Sequence, residues 1–222
     1  MDDFDLLLKS AKGGDAEAQF QVAYAYEMGD GVAKNYKKAM HWYKLAAKQN
    51  HVKAQLSMGY FYHSGMGVSE DYEEAIEWYK LAADQGDATA QNNLGVLYRL
   101  GRGAPQSYEA AVKWFAMAAD QGSIDAQTNL GLMYDRGEGV EQNYETAAEL
   151  YKKSAEQGSA RAQNNLALMY EFGEGVSKDL EEAARLYKLA ADQHYASAKL
   201  NLERLSKGNE DFDKSDTILR RK

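Results

Sequence analysis

The sequence predicts an all-α solenoid of paired helices, because two signals return along it every 36 residues. An Ala-Gln pair or its equivalent begins at Ala18 and recurs in register at Ala54, Ala90, Ala126, Ala162 and Ala198. A Gly-x-Gly signal returns five times with the same step, starting with Gly29 and Gly31. A fixed period of this length is typical of stacked supersecondary units that form one elongated array.

Each repeat should begin with a helix, here called helix A. Ala126, Leu130 and Tyr134 recur at i, i+4 and i+8, which places them on one helical face. The residues at the predicted N-cap position are Asp15, Asp87, Ser123 and Ser159, with His51 and Tyr195 as weaker equivalents. The Gly-x-Gly should end helix A, because glycine accepts the left-handed backbone of a helix C-terminus.

A second helix, B, should follow each loop. Good N-cap residues occupy one repeat position, at Asn35, Asp71, Ser107, Asn143 and Asp179. In the second repeat, Ala75, Trp78, Tyr79 and Ala82 form one broad apolar face, and charged residues lie opposite. Helix B is therefore predicted to be amphipathic and to pack inward.

Glycine recurs in the middle of helix A, at Gly59, Gly95 and Gly131. Glycine inside a helix costs about 1 kcal/mol relative to alanine, so a compensating gain is required. We expect that gain to be a close approach of helix A to helix B.

The two ends of the repeat domain, predicted over residues 1–206, resemble half-units. Residues 3–14 align with a helix B, five complete repeats cover about 15–194, and residues 195–206 align with a closing helix A. Residues 207–222 leave the pattern and are highly charged, which predicts a disordered tail.

The repeated motif resembles the Sel-one-like repeat family, the 36-residue relatives of tetratricopeptide repeats. The resemblance rests on A-Q-x-N-L-G-x-x-Y-x-x-G-x-G-V followed by Y-x-x-A-x-x-x-Y, and it covers about Asp3 to Ser206. It implies a right-handed α/α superhelix whose A helices line a concave face. It also implies a role as an adaptor or scaffold that binds other proteins.

Composition limits the classes of partner. The net charge of −8 argues against nonspecific binding to nucleic acid or anionic lipid. The chain has no cysteine and no run of about 18 apolar residues, so neither a thiolate site nor membrane insertion is expected. We expect a cytoplasmic protein if Met1 is the native start, and a periplasmic one if a signal peptide has been removed. The oligomeric state is open.

No pattern predicts a catalytic, cofactor or metal site. Helices flank the Gly-x-Gly on both sides and its third glycine is missing, whereas a dinucleotide site needs a strand before it. His41, His51, His63 and His194 occupy different repeat positions without the i, i+4 partner that converges on zinc. We therefore predict a protein that is not an enzyme.

The predicted concave face carries an apolar stripe at the helix A positions opposite the core. This stripe comprises Phe20, Tyr24, Leu56, Tyr60, Val96, Leu132 and Leu168. Exposed apolar patches commonly mark partner sites. The alternative is that these side chains pack on one another between adjacent A helices.

An asparagine ladder runs beside the stripe, at Asn93, Asn129, Asn165 and Asn201, and nearby cations are Lys53, Arg99, Arg136 and Arg161. Amides can hold an extended peptide backbone, because they both donate and accept. Some related tetratricopeptide domains clamp a C-terminal carboxylate in this way, but the lysine set of that clamp is only partly matched here. The alternative is that each amide bonds a neighbouring helix or loop.

The predicted function is a protein-interaction scaffold that binds a peptide or partner protein in its concave groove. The alternative, from a different class of function, is binding or hydrolysis of a cell-wall fragment or β-lactam. Some cysteine-rich relatives within the family that the sequence resembles suggest it. A third possibility is self-association through the tail or an uncapped end.

Overall fold

The computed structural model describes residues 3–207, which form twelve α-helices and no β-strand. In chain order the helices are α1 (Asp3–Lys12), α2 (Ala16–Met28), α3 (Tyr36–Ala47), α4 (Val52–Ser64), α5 (Tyr72–Asp84), α6 (Ala88–Leu100), α7 (Tyr108–Asp120), α8 (Ile124–Arg136), α9 (Tyr144–Glu156), α10 (Ala160–Phe172), α11 (Leu180–Asp192) and α12 (Ala196–Ser206). The even-numbered helices are A helices and the odd-numbered helices are B helices. The predicted all-α repeat fold is thus confirmed.

Side-chain caps begin the helices where the sequence predicts them. Asp15 accepts a hydrogen bond from the backbone N–H of Ala18 at 2.6 Å, and Ser107 accepts one from Ala110 at 3.1 Å. The weaker candidates behave differently: His51 Nδ1 caps α4, whereas Tyr195 makes no side-chain cap. Each Gly-x-Gly begins with a left-handed residue, as at Gly29, where φ is 80°. This conformation ends the A helix and turns the chain toward helix B.

The chain divides into two compact units, Met1–Trp114 and Phe115–Lys222, and the division falls inside α7. Unit 1 contains two buried clusters, one around Tyr43 and Phe61 and one around Tyr79. The core of unit 2 includes a cluster around Tyr151 and Tyr187. One domain over residues 1–206 stays a prediction. The predicted disordered tail lies outside the described residues, apart from Lys207.

A buried glutamine on an A helix and an exposed glutamine after the following B helix link three successive helices. The Nε2 of Gln55 on α4 donates to the carbonyl of Ala47 at the end of α3, at 3.2 Å. Its Oε1 accepts from Gln85, which follows α5, at 2.7 Å. The same two-sided arrangement occurs for the pairs Gln19 with Gln49, Gln127 with Gln157, and Gln163 with Gln193. This glutamine relay fixes the register of α2, α4, α8 and α10 against the B helices before and after each of them.

The mid-helix glycines allow the predicted close approach. A methyl group added at Gly131 would lie 2.8 Å from Cε1 and 2.9 Å from Cδ1 of Tyr151, a fully buried residue of α9. At Gly59 the added methyl group would collide with the ring of Tyr79 on α5. The glycine is therefore required because the tyrosine ring occupies the space of a side chain.

Replacing Gln55 with leucine should lower the free energy of unfolding by about 2 kcal/mol, because a buried carbonyl and the Gln85 amide lose their partner. Chemical denaturation measures the loss. Gln21→Leu is the matched control, because Gln21 on α2 is exposed and bonds the exposed side chain of Glu17. Equal losses in the two variants would contradict the role of the relay.

Gly131→Val should destabilise the protein by about 2 kcal/mol, because the added side chain overpacks the contact with Tyr151. The melting temperature should fall accordingly. Lys188→Val, which places the same branched side chain at an exposed position of α11, serves as control. A melting temperature no lower than that of the control would refute the close-approach explanation.

Candidate functional site

Each A helix has one side toward the B helices and another side away from them, which is here called the A-helix face. On α2 the buried residues include Ala18, Val22 and Tyr26, whereas Gln21 and Tyr24 are exposed. This arrangement follows from the helical period, because positions four apart lie one above the other. The site residues predicted from the sequence all lie on the A helices, and their burial differs between the two units.

In unit 1 the A-helix face exposes a row of large apolar side chains. Tyr24 is 47% exposed, Met28 53%, Tyr60 51% and Leu100 46%. The predicted residues Phe20, Leu56 and Val96 are half-buried beside them. Tyr24 and Tyr60 share one repeat position, and Met28 and Leu100 share another, so large exposed apolar side chains recur at the same positions of the A helices. Since exposed apolar residues are ordinary only when they are scattered singly, this row is a candidate interaction surface.

A cleft of about 630 Å³ lies at one end of this face, between α1 and α2. Its apolar lining includes Phe4, Leu7 and Phe20, and Tyr24 borders it. Phe20 is held in place by a stacked contact with the His51 ring, at 4.7 Å between centroids. The carboxylates of Asp3 and Asp30 also line the cleft. The cleft can therefore accept an apolar side chain with a cation beside it.

The polar residues predicted for unit 1 flank the same row. Lys53 is exposed, and Asn93 is half-buried and hydrogen-bonded to the Tyr79 hydroxyl. Arg99 is half-buried, and its Nε has no hydrogen-bond acceptor among residues 3–207. These groups can donate to the backbone or carboxylate of a bound peptide.

His63 lies at the buried edge of this face, within 3.4 Å of the Tyr79 hydroxyl and edge-on to the Tyr72 ring. Burial lowers the pKa of His63, and the charge of Arg102 lowers it further, whereas Glu70 opposes the shift. The neutral imidazole is therefore the form favoured in the folded protein.

Two predicted apolar residues of unit 2 are not exposed. Leu132 on α8 is 3% exposed and Leu168 on α10 is fully buried. The prediction that they line an exposed stripe is wrong. Their side chains are packed inside the protein, whereas the equivalent Tyr24 and Tyr60 face outward.

The asparagine ladder of unit 2 is also buried. Asn129 accepts a hydrogen bond from Arg161 at 2.6 Å, and the Asn201 amide donates to Asn164 at 3.0 Å. Asn164 in turn donates to Asn165 at 3.4 Å. For Asn129, Asn165 and Asn201 the prediction of a peptide-accessible ladder is therefore wrong, because these amides are hidden and bond neighbouring side chains.

The predicted cations of unit 2 are half-buried and paired. Arg136 forms an ion pair with Glu138 at 3.4 Å, and Arg161 bonds Asn129. The sequence did not point to Arg204 of α12, which forms a bidentate ion pair with the buried Glu171. Burial alone would lower the pKa of Arg204, but the hydrogen bond to Glu171 raises it.

Sequence reasoning also missed Phe4 and Leu7 of α1 and the exposed Met28 and Leu100. The α1 residues belong to a half-unit, whose short sequence carries no A-helix motif to align. Met28 and Leu100 lie four residues after Tyr24 and Val96, so the helical period alone could have identified them.

His63 predicts a specific pH dependence of stability. The pKa of His63 is lower in the folded protein than in the unfolded chain. Its contribution to the free energy of unfolding is therefore complete above about pH 6.5 and is lost as the pH falls toward the folded pKa. Between pH 7.5 and 5 the melting temperature of His63→Gln should therefore fall less than that of the unchanged protein. His41→Gln, at an exposed histidine, is the control, and equal falls in all three proteins would contradict this assignment.

Among residues 3–207, no three histidine, aspartate or glutamate side chains cluster closely enough to hold a metal ion. No helix within the same range is long and apolar enough to cross a membrane.

The model of the Sel1 repeat matches the chain five times, over residues 16–51, 52–87, 88–123, 124–159 and 160–195. These ranges place the boundary of each repeat at the start of an A helix, so each matched unit is one A helix followed by one B helix.

Solved structures agree with this match. A Sel1 repeat protein from Oxalobacter formigenes is 34% identical, with a TM-score of 0.83 over 94% of this chain and 85% of that one. The protective antigen c5321 of uropathogenic Escherichia coli, which has an SLR fold, is 33% identical with a TM-score of 0.59, over 95% of this chain and 53% of its own. This chain thus spans about half the length of c5321. A search of curated proteins found no match.

Proposed function

Because this chain belongs to the Sel1 repeat family, we propose that it is a scaffold that binds a peptide segment of a partner protein on the A-helix face of unit 1. Sel1 repeat proteins are generally protein-interaction scaffolds. The observation that carries the finer proposal is the row of exposed apolar side chains at Tyr24, Met28, Tyr60 and Leu100.

The row has the composition of a binding surface. Tyrosine offers a large contact area with a polar tip and few rotatable bonds, so burying it against a partner costs little side-chain entropy. Tyr24 and Tyr60 occupy the same position of consecutive A helices, which spaces them by one repeat along the face. A partner that contacts both must extend across the A helices rather than along one of them.

The cleft beside α1 provides an anchor for one side chain of that partner. Phe4, Leu7 and Phe20 would surround an apolar side chain, and Asp3 and Asp30 would favour a lysine or arginine next to it. Desolvated apolar anchors of this kind contribute most of the binding free energy of peptide interfaces. We therefore infer a peptide that combines an aromatic or aliphatic residue with a neighbouring basic residue.

The polar groups along the row would hold the main chain of the peptide. Asn93 can pair with a peptide group, and the cations Lys53 and Arg99 favour a carboxylate farther along the peptide. Because the acids of the cleft and these cations lie at separate parts of the face, the bound peptide should have a defined direction.

We further infer that the chain acts without catalysis. The buried carboxylates are already committed to neighbours, since Asp135 accepts from Tyr151 and Glu171 accepts from Tyr187 and Arg204. General acid–base chemistry instead needs two carboxylates in unlike environments that face one cavity. No observation on the described residues favours hydrolysis of a cell-wall fragment or β-lactam.

Peptides selected from a displayed random library on the full chain provide defined probes. The double variant Tyr24→Ala with Tyr60→Ala should weaken binding of a selected peptide at least tenfold, because both anchors of the face are truncated. Fluorescence anisotropy measures the affinity, and the melting temperature should change little, because both rings are half-exposed.

The matched control is Leu81→Ala with Leu189→Ala, which truncates comparably exposed apolar residues on B helices and should leave the affinity unchanged. Leu132 is unsuitable for this test, because its truncation would create a cavity and lower stability instead. Selected peptides that bind the tyrosine double variant with unchanged affinity would place the site elsewhere.

A further inference from the structure

Helix α3 has a charge pattern unlike that of the other B helices. It carries Lys37, Lys38 and Lys44, its C-cap residue is Lys48, and it contains no acid. In each of the other B helices the first turn contains at least one acid. The whole chain has a net charge of −8. The basic surface is therefore a local property of α3.

The sign of the charge is reversed at two positions of the repeat. Where α3 has Lys37, the four B helices that follow have glutamate, and where it has Lys48 they have an acid. In chain order these acids are Glu73, Glu109, Glu145 and Glu181 at the first position, and Asp84, Asp120, Glu156 and Asp192 at the second. An acid near a helix N-terminus interacts favourably with the helix dipole, whereas a lysine there does not. Lys37 therefore disfavours α3, which indicates a role outside folding.

Three of these lysines lie on one exposed side of α3. Lys37, Lys44 and Lys48 are spaced so that they fall within about 40° of one another around the helix axis. All three are exposed, and they lie opposite the buried Ala39 and Ala46. They form a surface about 16 Å long, here called the lysine strip.

The lysine strip has no counter-ion within the described part of the chain. No carboxylate of residues 3–207 forms an ion pair with any of its three amines. Lys44 and Lys48, which are four residues apart on the helix, repel each other. Lys38 adds a further positive charge beside the strip, where its Nζ lies 5.1 Å from the centroid of the Tyr26 ring. The strip is thus an accessible positive surface that these residues do not neutralise.

The same unit carries a surface of the opposite charge beside α5. A cleft of about 410 Å³ is lined there by Glu73, Glu74, Glu77 and Tyr98, among others. Glu77 is paired with Lys80 at 3.0 Å, whereas Glu73 and Glu74 form no ion pair within residues 3–207. This cleft, here called the acidic cleft, can accept the amines of lysine side chains.

We propose that two copies of this chain associate through unit 1, with the lysine strip of each copy against the acidic cleft of the other. In this two-fold arrangement every contact is made twice, because one unit carries both surfaces. The charges also match in spacing, because Glu73 and Asp84 of α5 stand at the repeat positions of Lys37 and Lys48. The contact involves the B-helix side and leaves the A-helix face of unit 1 open to a peptide.

A second copy matches the lysine strip better than other anionic partners do. The net charge of −8 repels nucleic acid and anionic lipid, whereas a second copy presents carboxylates at the matching spacing. Two copies also repel each other through their net charge. The Debye length is about 8 Å at physiological ionic strength, so distant charges are screened and charges in contact are screened much less. Association should therefore persist at physiological salt and be lost at high salt.

Sedimentation velocity of the full chain at physiological ionic strength tests the proposal. The unchanged chain should dimerise as its concentration rises. The triple variant Lys37→Glu, Lys44→Glu and Lys48→Glu should raise the dissociation constant of the dimer at least tenfold, because the strip then repels the acidic cleft. An unchanged chain that stays monomeric at every concentration would overturn the proposal.

The matched control is the triple variant Lys152→Glu, Lys153→Glu and Lys188→Glu. It makes the same change in net charge at exposed lysines of α9 and α11, and it should alter the dissociation constant by less than about threefold. Equal losses in the two triple variants would show a general charge effect and overturn the proposal. Monomeric protein whose lysine strip binds a poly-glutamate peptide would assign the strip to an outside acidic partner instead.

An exchange of charges identifies the two surfaces that meet. Glu73→Lys with Glu77→Lys should weaken the dimer as well, because both surfaces are then basic. An equimolar mixture of this variant with the lysine-strip variant should form a heterodimer, because each basic surface again faces an acidic one. A mixture that stays monomeric, although circular dichroism shows both variants folded, would overturn the pairing of strip and cleft.

Discussion

The stacking of the repeats depends on the glutamine relay between successive helices. In each relay one buried amide donates backward to the end of a B helix and accepts from the glutamine that follows the next B helix. A buried amide without these partners would be destabilising, so the position of each A helix that carries a relay is fixed from both sides. An insertion within a repeat would separate the two glutamines, which explains physically why the 36-residue step is unbroken.

The second constraint is the buried aromatic ring that α3, α5, α7, α9 and α11 carry at the same repeat position. The ring packs against a mid-helix glycine of helix A at Gly59 and Gly131, and the partner of the tyrosine hydroxyl varies between repeats. Tyr43 donates to Glu27, Tyr151 to Asp135 and Tyr187 to Glu171, whereas Tyr79 contacts His63. The fold is therefore conserved from repeat to repeat while the charge beside the A-helix face changes.

The sequence predicted the helices well because their signals are local. N-cap side chains such as Asp15, the left-handed Gly29 and the apolar period each act within a few residues, and the structure confirms them. The exposure of the A-helix face could not be predicted in the same way. Leu132 and Tyr60 have the same place in the motif, yet Leu132 is 3% exposed and Tyr60 is 51% exposed, so the local motif does not determine the burial of this position.

The same reasoning explains how one motif can give two different surfaces. On the A-helix face of unit 1, Tyr24 and Tyr60 present aromatic side chains that are about half exposed, whereas the equivalent Leu132 and Leu168 in unit 2 are buried. The residues that fix the stacking, such as the A-helix glutamines and the buried tyrosines of the B helices, recur in both units. Divergence at a few A-helix positions can therefore change the exposed surface without altering the fold.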